Sequence, residues 1–408
     1  MTQLIFLFIL ATAPAIAAEP ACPALSSPQS VLDCVLRVHP AAKGSAALLL
    51  QAEALGSAAG QRPNPEAAGT GVFGDSQDQM QVSLLHTFET GGKRGRRLDR
   101  ARAEALELGA EALSVKEEIA VDTVSDLFRL RQIREELKLL QEALDTFSRI
   151  ARQLRARPRR SPEQEVSLSV FQLAERDYSV KRSALEGETL ALRRELELGL
   201  GAPLPDSDSV LPARRTQWPD LGAPGSPAAL RGSSALRATA ALEAAQAELG
   251  SARAAAYPDV QLGPSVQRQK NGPGEGSSTL LGASFSLPLP LYQRNAGGKR
   301  LATRAVETAQ ARSAAAMAAL GAQRDAELAR YRAATSTLAQ AGDTEKLEAE
   351  HEKMEGLYER GLIPSALVIE AHRQMVDYTR DLNEQELGAV RALWTIYAIE
   401  GRVLTEKL

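Results

Sequence analysis

The chain has 408 residues, a formal net charge of −3, 44% hydrophobic and 24% charged residues, and only 4% aromatics. That length is a prior for two or three domains. The composition excludes a disordered tail and a bundle of membrane-spanning helices, and the near-neutral charge gives no reason to expect nucleic acid. Ala, Leu, Glu and Arg are abundant, the residues that fill long helices.

The first apolar run, Leu4 to Ala17, ends in the small-x-small pattern Ala15-Ile16-Ala17, which predicts a signal peptide over residues 1–17. Its n-region lacks Lys and Arg, and about 14 apolar residues are too few for a membrane anchor. Beyond it stand two cysteines, Cys22 and Cys34. In an exported chain this pair reads as a disulfide, with free thiols or a lipid on Cys22 as alternatives. Glu19-Pro20-Ala21 fits a lipoprotein signal poorly.

The sequence repeats itself. Leu55-Gly56-Ser57-Ala58 recurs as Leu249-Gly250-Ser251-Ala252, Asn64-Pro65-Glu66 is answered by Tyr257-Pro258-Asp259, and Gly91-Gly92-Lys93-Arg94 by Gly297-Gly298-Lys299-Arg300. The order is kept at a spacing of about 200 residues, which chance in an Ala-rich chain does not explain. The division this implies is 18–225 for the first repeat and its connection, and 226–408 for the second.

In each repeat, the segment between the proline and the double glycine predicts a hairpin. Met80, Val82, Leu84, His86 and Phe88 alternate with Gln81, Ser83, Leu85 and Thr87, as Val260, Leu262, Pro264 and Val266 alternate with Gln261, Gly263, Ser265 and Gln267. Leu281, Ala283, Phe285 and Leu287 do the same. Period two is a strand pattern, and roughly nine residues suit a tilted transmembrane strand.

A long helix follows each hairpin. Lys93 to Arg157 holds no proline, and at about 1.5 Å per residue it reaches nearly 100 Å. Leu130, Ile133, Leu137, Leu140, Leu144, Phe147, Ala151 and Leu154 keep a strict 3-4 spacing, a coiled-coil seam. Pro158 to Pro162 predicts a reversal into a helix ending near Leu200. The second repeat predicts a helix from Gly298 to Arg360, a reversal at Gly361-Leu362-Ile363-Pro364, and a return helix. That helix has Met375, Tyr378, Leu382, Ala389, Ala392 and Ile396 in heptad register, with Gln385 as its polar interruption. Gly201 to Ser226 reads as irregular connection.

Catalytic patterns fail on context. Gly69-Thr70-Gly71-Val72-Phe73-Gly74 spells a dinucleotide fingerprint, but a turn and a strand follow it where a helix is needed. Gly91-Gly92-Lys93 lacks the spacing of a phosphate loop. The four histidines, His39, His86, His351 and His372, form no metal-ligand spacing, and His351 reads as a helix-packing residue. No enzyme, metal site or cofactor is expected. The basic run Lys93, Arg94, Arg96, Arg97, Arg100 and Arg102 reads as a solvated helix start beside anionic headgroups.

Four segments carry a family resemblance: Gln61-Arg62-Pro63-Asn64-Pro65-Glu66, Phe88-Glu89-Thr90-Gly91-Gly92-Lys93-Arg94, Leu287-Pro288-Leu289-Pro290-Leu291-Tyr292-Gln293-Arg294-Asn295, and Tyr358-Glu359-Arg360-Gly361. With the duplication, the chain resembles the TolC-like outer-membrane efflux channels, the first three segments being most similar to the heavy-metal (CzcC-like) branch. The resemblance implies a homotrimer with four strands per chain in one shared barrel, and helices forming a periplasmic tunnel. It also implies partners, a periplasmic adaptor and an inner-membrane pump. Independently, four strands cannot close a barrel, so hairpins that span a membrane must be shared between chains. The fold class is mainly α with a small β part. The alternative function is a periplasmic coiled-coil adaptor or scaffold without a barrel.

Site expectations follow. Gly91-Gly92 and Gly297-Gly298 are read as strand-to-helix junctions, Pro65 and Pro258 as helix-to-strand junctions. Arg360, Gly361, Leu362, Ile363, Pro364 and Ser365 are read as the adaptor contact, with Leu362 and Ile363 exposed. From the resemblance, Leu367 and Glu370 occupy gate positions one helical turn apart, where three Glu370 side chains converging would attract cations and raise one another's pKa. The charged first reversal, Arg157-Pro158-Arg159-Arg160-Ser161-Pro162, departs from the family pattern, which either removes adaptor docking at that tip or makes it electrostatic.

Overall fold

The computed structural model describes residues 22, 25–74, 77–222, 230–271, 276–341, 349, 353–354, 356–358, 360 and 362–408. The expected signal peptide and His351 lie outside them. Helices α1 (Pro28–Val38) and α2 (Pro40–Ala59) lead into strands β1 (Glu66–Phe73) and β2 (Gln77–Phe88), then helices α3 (Lys93–Arg155) and α4 (Pro162–Leu200). The second repeat runs α5 (Ser233–Ala254), β3 (Val260–Asn271), β4 (Ser277–Ser286), α6 (Ala296–Gln340) and α7 (Ser365–Ile399). From α2 and again from α5 the order is helix, two strands, long helix, return helix.

The helix ends follow local chemistry. Ser27 caps α1 and Ser161 caps α4, each in a reciprocal box with the residue three positions on. Proline opens α1, α2 and α4, where its missing N–H costs nothing. His39 caps α2, its Nδ1 accepting from Ala41 N–H at 3.1 Å. Helix α6 stops earlier than expected. It closes at Ala341, whose carbonyl accepts from the Tyr378 hydroxyl of α7, so its last described turn is tied to the return helix.

Three cores lie along the helices. One gathers Trp394, Leu393 and Ile396 of α7, Val124 and Phe128 of α3, and Leu328 and Tyr331 of α6. A second joins Leu127 and Leu130 to Leu196 and Leu200 of α4, and to α1 through Val31, Cys34 and Val35. Cys22 and Cys34 are joined by a disulfide, Cα atoms 5.6 Å apart. The third holds Leu140, Phe147, Ile150 and Leu154 against Phe171, Tyr178 and Val368, so both helix reversals lie at one end of the molecule.

The α3 seam is buried at every expected position except Leu137, which is half-buried. The α7 seam differs by its polar members. Gln385 is exposed, while Asn383 and Glu386 are buried. They are satisfied by α3 and the connection: Gln132 Nε2 donates to the Asn383 carbonyl at 2.8 Å, Asn383 Nδ2 donates to Glu136 at 3.0 Å, and Arg131 pairs with Glu386. Arg129 holds Glu136 at 2.9 Å and Glu188 of α4 at 2.7 Å. Arg214 spans Glu135 and Asn383, and Arg215 N–H donates to Glu386 at 2.8 Å. Buried charge pairs add little net stability but penalise any slipped register that would part them.

A second polar group lies on α3. Asp126 is half-buried, and its carboxyl is pushed up to about 7, first by burial, then by the carboxylates of Glu195 and Asp122, with Arg391 opposing. A carboxyl raised above its unfolded value, near 3.9, stabilises the fold below that value. The contribution is lost as pH rises toward 7. Asp126→Asn is therefore expected to raise the melting temperature at about pH 8 and leave it unchanged near pH 4. A gain of equal size at both pH values would contradict this.

Candidate functional site

The four strands form one antiparallel sheet in the order β1-β2-β3-β4. Its registers place Val82 opposite Gly69 and Val266, Val266 opposite Leu281, and His86 opposite Leu262, which faces Phe285. Directly opposed residues share a face. One face therefore carries Phe73, Met80, Val82, Leu84, Phe88, Leu262, Val266, Leu281 and Phe285, all exposed, with Asp78, Arg268 and Lys270 toward its hairpin-turn end. The other carries Gln79, Gln81, Ser83, Thr87, Gln261, Ser265, Gln267, Gln269 and Ser284, where Gln81 Nε2 donates to Ser284 Oγ at 3.2 Å. Among the described residues no helix packs on either face, and β1 and β4 each keep one unpaired edge. Among the described residues, no helix is long and apolar enough to cross a membrane.

The first junction is built as a clamp. Gly91 (φ 65°) and Gly92 (φ 74°) both adopt left-handed backbone between β2 and α3. A Cβ on Gly91 would sit 2.7 Å from the Tyr257 ring, which comes from the other repeat. Thr90 N–H and Lys93 both bind Asp259, at 3.1 and 2.8 Å. Arg97 pairs with Glu89 and donates to the Gln61 carbonyl at 2.9 Å, while Arg94 donates to the Gly60 carbonyl at 2.8 Å. The basic run expected beside headgroups is thus largely spent on the protein itself. Carboxylates and carbonyls satisfy it, which offsets the cost of cations at a helix N-terminus.

The second junction differs from expectation. Gly297 and Gly298 lie in the first turn of α6, and the left-handed residue is Asn295 (φ 50°). Asn295 Nδ2 donates to the Ala252 carbonyl at 2.8 Å, and its side chain fills the space a Cβ on Gly298 would need. Pro65 directly precedes β1, and Pro258 stands two residues before β3.

At the second reversal, Leu362 is 65% exposed, but Ile363 is not presented beside it. Ile363 is half-buried against the core of Phe147 and Phe171, because the turn folds it inward ahead of α7. Arg360 is exposed, its Nε donating to the Gly356 carbonyl at 3.0 Å, and Pro364 is the N-cap of α7. Gly361 lies outside the described residues, as does the Ser365 side chain. Leu367 is exposed and Glu370 half-buried, one helical turn apart on α7. Glu370 is paired: Arg373 binds both its oxygens at 2.7 and 2.9 Å, and Gln374 donates at 2.8 Å. In the single chain these donors hold its carboxyl below the usual value, the reverse of the rise expected from like charges.

His372 is buried against the Phe147 ring, its Nδ1 2.9 Å from the Val368 carbonyl, and His86 stacks edge-on with Phe88. Among the described residues, no three His, Cys, Asp or Glu side chains are placed to hold a metal.

Three solved structures share this fold. CusC has a TM-score of 0.68 at 15% identity, covering 93% of each chain. MtrE of Neisseria gonorrhoeae, an outer membrane channel in its open state, has 0.68 at 16%, covering 93% of this chain and 90% of its own. VceC, an outer membrane protein of Vibrio cholerae, has 0.66 at 16%, covering 91% and 95%. No curated protein gives a significant sequence match. Residues 226–402, nearly the whole second repeat, match the model of the outer membrane efflux protein family. The second repeat thus matches the outer membrane efflux protein model, and almost the whole length of the chain shares the fold of CusC, MtrE and VceC.

Proposed function

We propose that this protein is the passive exit channel of a tripartite efflux system, a homotrimer in the outer membrane with a long periplasmic extension. The observation that carries the reading is the two-faced sheet with two free edges. An apolar face several strands wide, uncovered by any helix, is at home against lipid, and the Gln/Ser face against a water-filled lumen. The unpaired β1 and β4 edges run antiparallel, so β4 of one chain can extend the ladder into β1 of the next. A coiled-coil adaptor or scaffold without a barrel has no use for that sheet. Transport energy comes from the inner-membrane pump, reached through the periplasmic adaptor, and the channel performs no catalysis. The segments Phe88–Arg94 and Leu287–Asn295 support the heavy-metal branch, so deletion should sensitise cells to divalent metals more than to drugs.

Outer membranes should contain a heat-modifiable oligomer, and the purified protein should conduct in planar bilayers. A soluble monomer without conductance would end the channel reading.

The gate reading places Leu367 and Glu370 on the tunnel axis. Each Glu370 shares Arg373 with Asp377, at 2.7 and 3.4 Å, so each chain brings two carboxylates and one guanidinium to the ring. Glu370→Gln leaves Arg373 to Asp377 alone and should shift selectivity several-fold toward anions, while Arg373→Gln should shift it toward cations. Reversal potentials across a salt gradient measure both, and unchanged values would remove Glu370 from the constriction.

A further inference from the structure

The reversal between α3 and α4 is a surface of arginines. Arg152, Arg155, Arg157, Arg159 and Arg160 are all exposed, and no Lys, Asp or Glu interrupts residues 150–162. The chain as a whole has a net charge of −3, so this is a local concentration. The fold uses little of it: Arg160 Nη1 donates to the Arg155 carbonyl at 3.3 Å, and among the described residues none of the five forms an ion pair. The nearest acids on α4, Glu163 and Glu165, occupy its first turn, where they suit the helix dipole. Proline at 158 and 162, with the Ser161–Gln164 capping box, fixes the turn that displays these side chains.

We propose that this tip is a carboxylate-recognising docking surface for an acidic protein segment. The proposal rests on the channel reading and gives the partner face its chemistry. All five cations are arginine, whose planar fork matches a carboxylate with two parallel hydrogen bonds, where lysine offers a point charge. Presentation on a rigid turn lowers the ordering cost of binding. A lipid surface is the poorer fit. No large apolar side chain stands between Leu154 and Val166 to enter an acyl layer, as interfacial segments require. Arg157 also acts on the Tyr358 phenol, and Phe171 touches the Tyr358 ring, so the arginine tip adjoins the Leu362 tip and the two form one face.

The test uses the full-length oligomer in detergent, with a synthetic poly-glutamate peptide and phosphatidylglycerol vesicles as probes, and bilayer conductance measured in parallel. Wild type should bind the peptide, more weakly as salt rises. Changing Arg157, Arg159 and Arg160 together to Gln should weaken binding about tenfold, while the same three as Lys should recover only part of it. Conductance should be unchanged in all three proteins. Peptide affinity insensitive to these variants, or stronger retention on vesicles than on peptide, overturns the proposal while a conducting wild type leaves the channel reading standing. A wild type that does not conduct removes the channel reading instead.

Discussion

Gly263→Val is expected to eliminate the heat-modifiable oligomer and bilayer conductance. Gly263 lies on β3 at the joint with β2, where the two repeats' hairpins meet. A Cβ there would fall 1.7 Å from the Leu84 carbonyl oxygen and 2.7 Å from its carbon, both backbone atoms that cannot rotate away. The register is the same on either side, Ser83 with Ser265 and His86 with Leu262. Pro264, between them, has no N–H to give the ladder. A branched side chain must therefore part the central strands, at a cost of about 3 kcal/mol in each chain. Gly282→Ala is the matched control. Its Cβ would meet only the Ser265 hydroxyl, at 3.3 Å, a group able to turn, so assembly should stay near wild type. A normal oligomer from Gly263→Val would mean that β2 and β3 do not meet as described.

Leu362→Asp is expected to abolish efflux while leaving the oligomer intact. Leu362 is exposed in the chain alone, so a carboxylate there is solvated and folding is unaffected. Burying that carboxylate under a partner without a counter-charge costs several kcal/mol, roughly a hundredfold or more in affinity. Ile363→Asp should behave differently. Ile363 packs against the core that contains Phe147 and Phe171, so the variant should lose stability before it loses docking. Survival of cells in the presence of the effluxed compound measures the first effect, thermal melting the second. Unchanged resistance with Leu362→Asp would count against the contact.

Much of the fold was legible because it rests on short-range pattern. Period two along Met80 to Phe88 and the 3-4 spacing from Leu130 to Leu154 each require a burial geometry that few folds supply. The duplication then fixed the element order. What escaped was chemistry between distant segments. Nothing local distinguishes Gln385, exposed, from Asn383 and Glu386, buried, because their partners Gln132, Glu136 and Arg131 lie in the other repeat. The same holds for Ile363, drawn inward to the core that includes Phe171, and for Asn295, whose amide donates to the Ala252 carbonyl. Arg97 and Lys93 read as a basic patch in the sequence, whereas in the fold Glu89 and Asp259 hold them.

The two reversals of each chain share one end but not one chemistry: one offers guanidinium groups, the other a bare leucine. A three-chain ring would then present six tips that alternate in kind, a surface with three-fold rather than six-fold symmetry. A ring of six identical partner subunits cannot bind it equivalently. Neighbouring subunits would have to settle into two distinct environments, one polar and one apolar, and the repeating unit of the docked ring would be a pair. Saturation should then proceed in two steps of unequal affinity, of which only one weakens with salt.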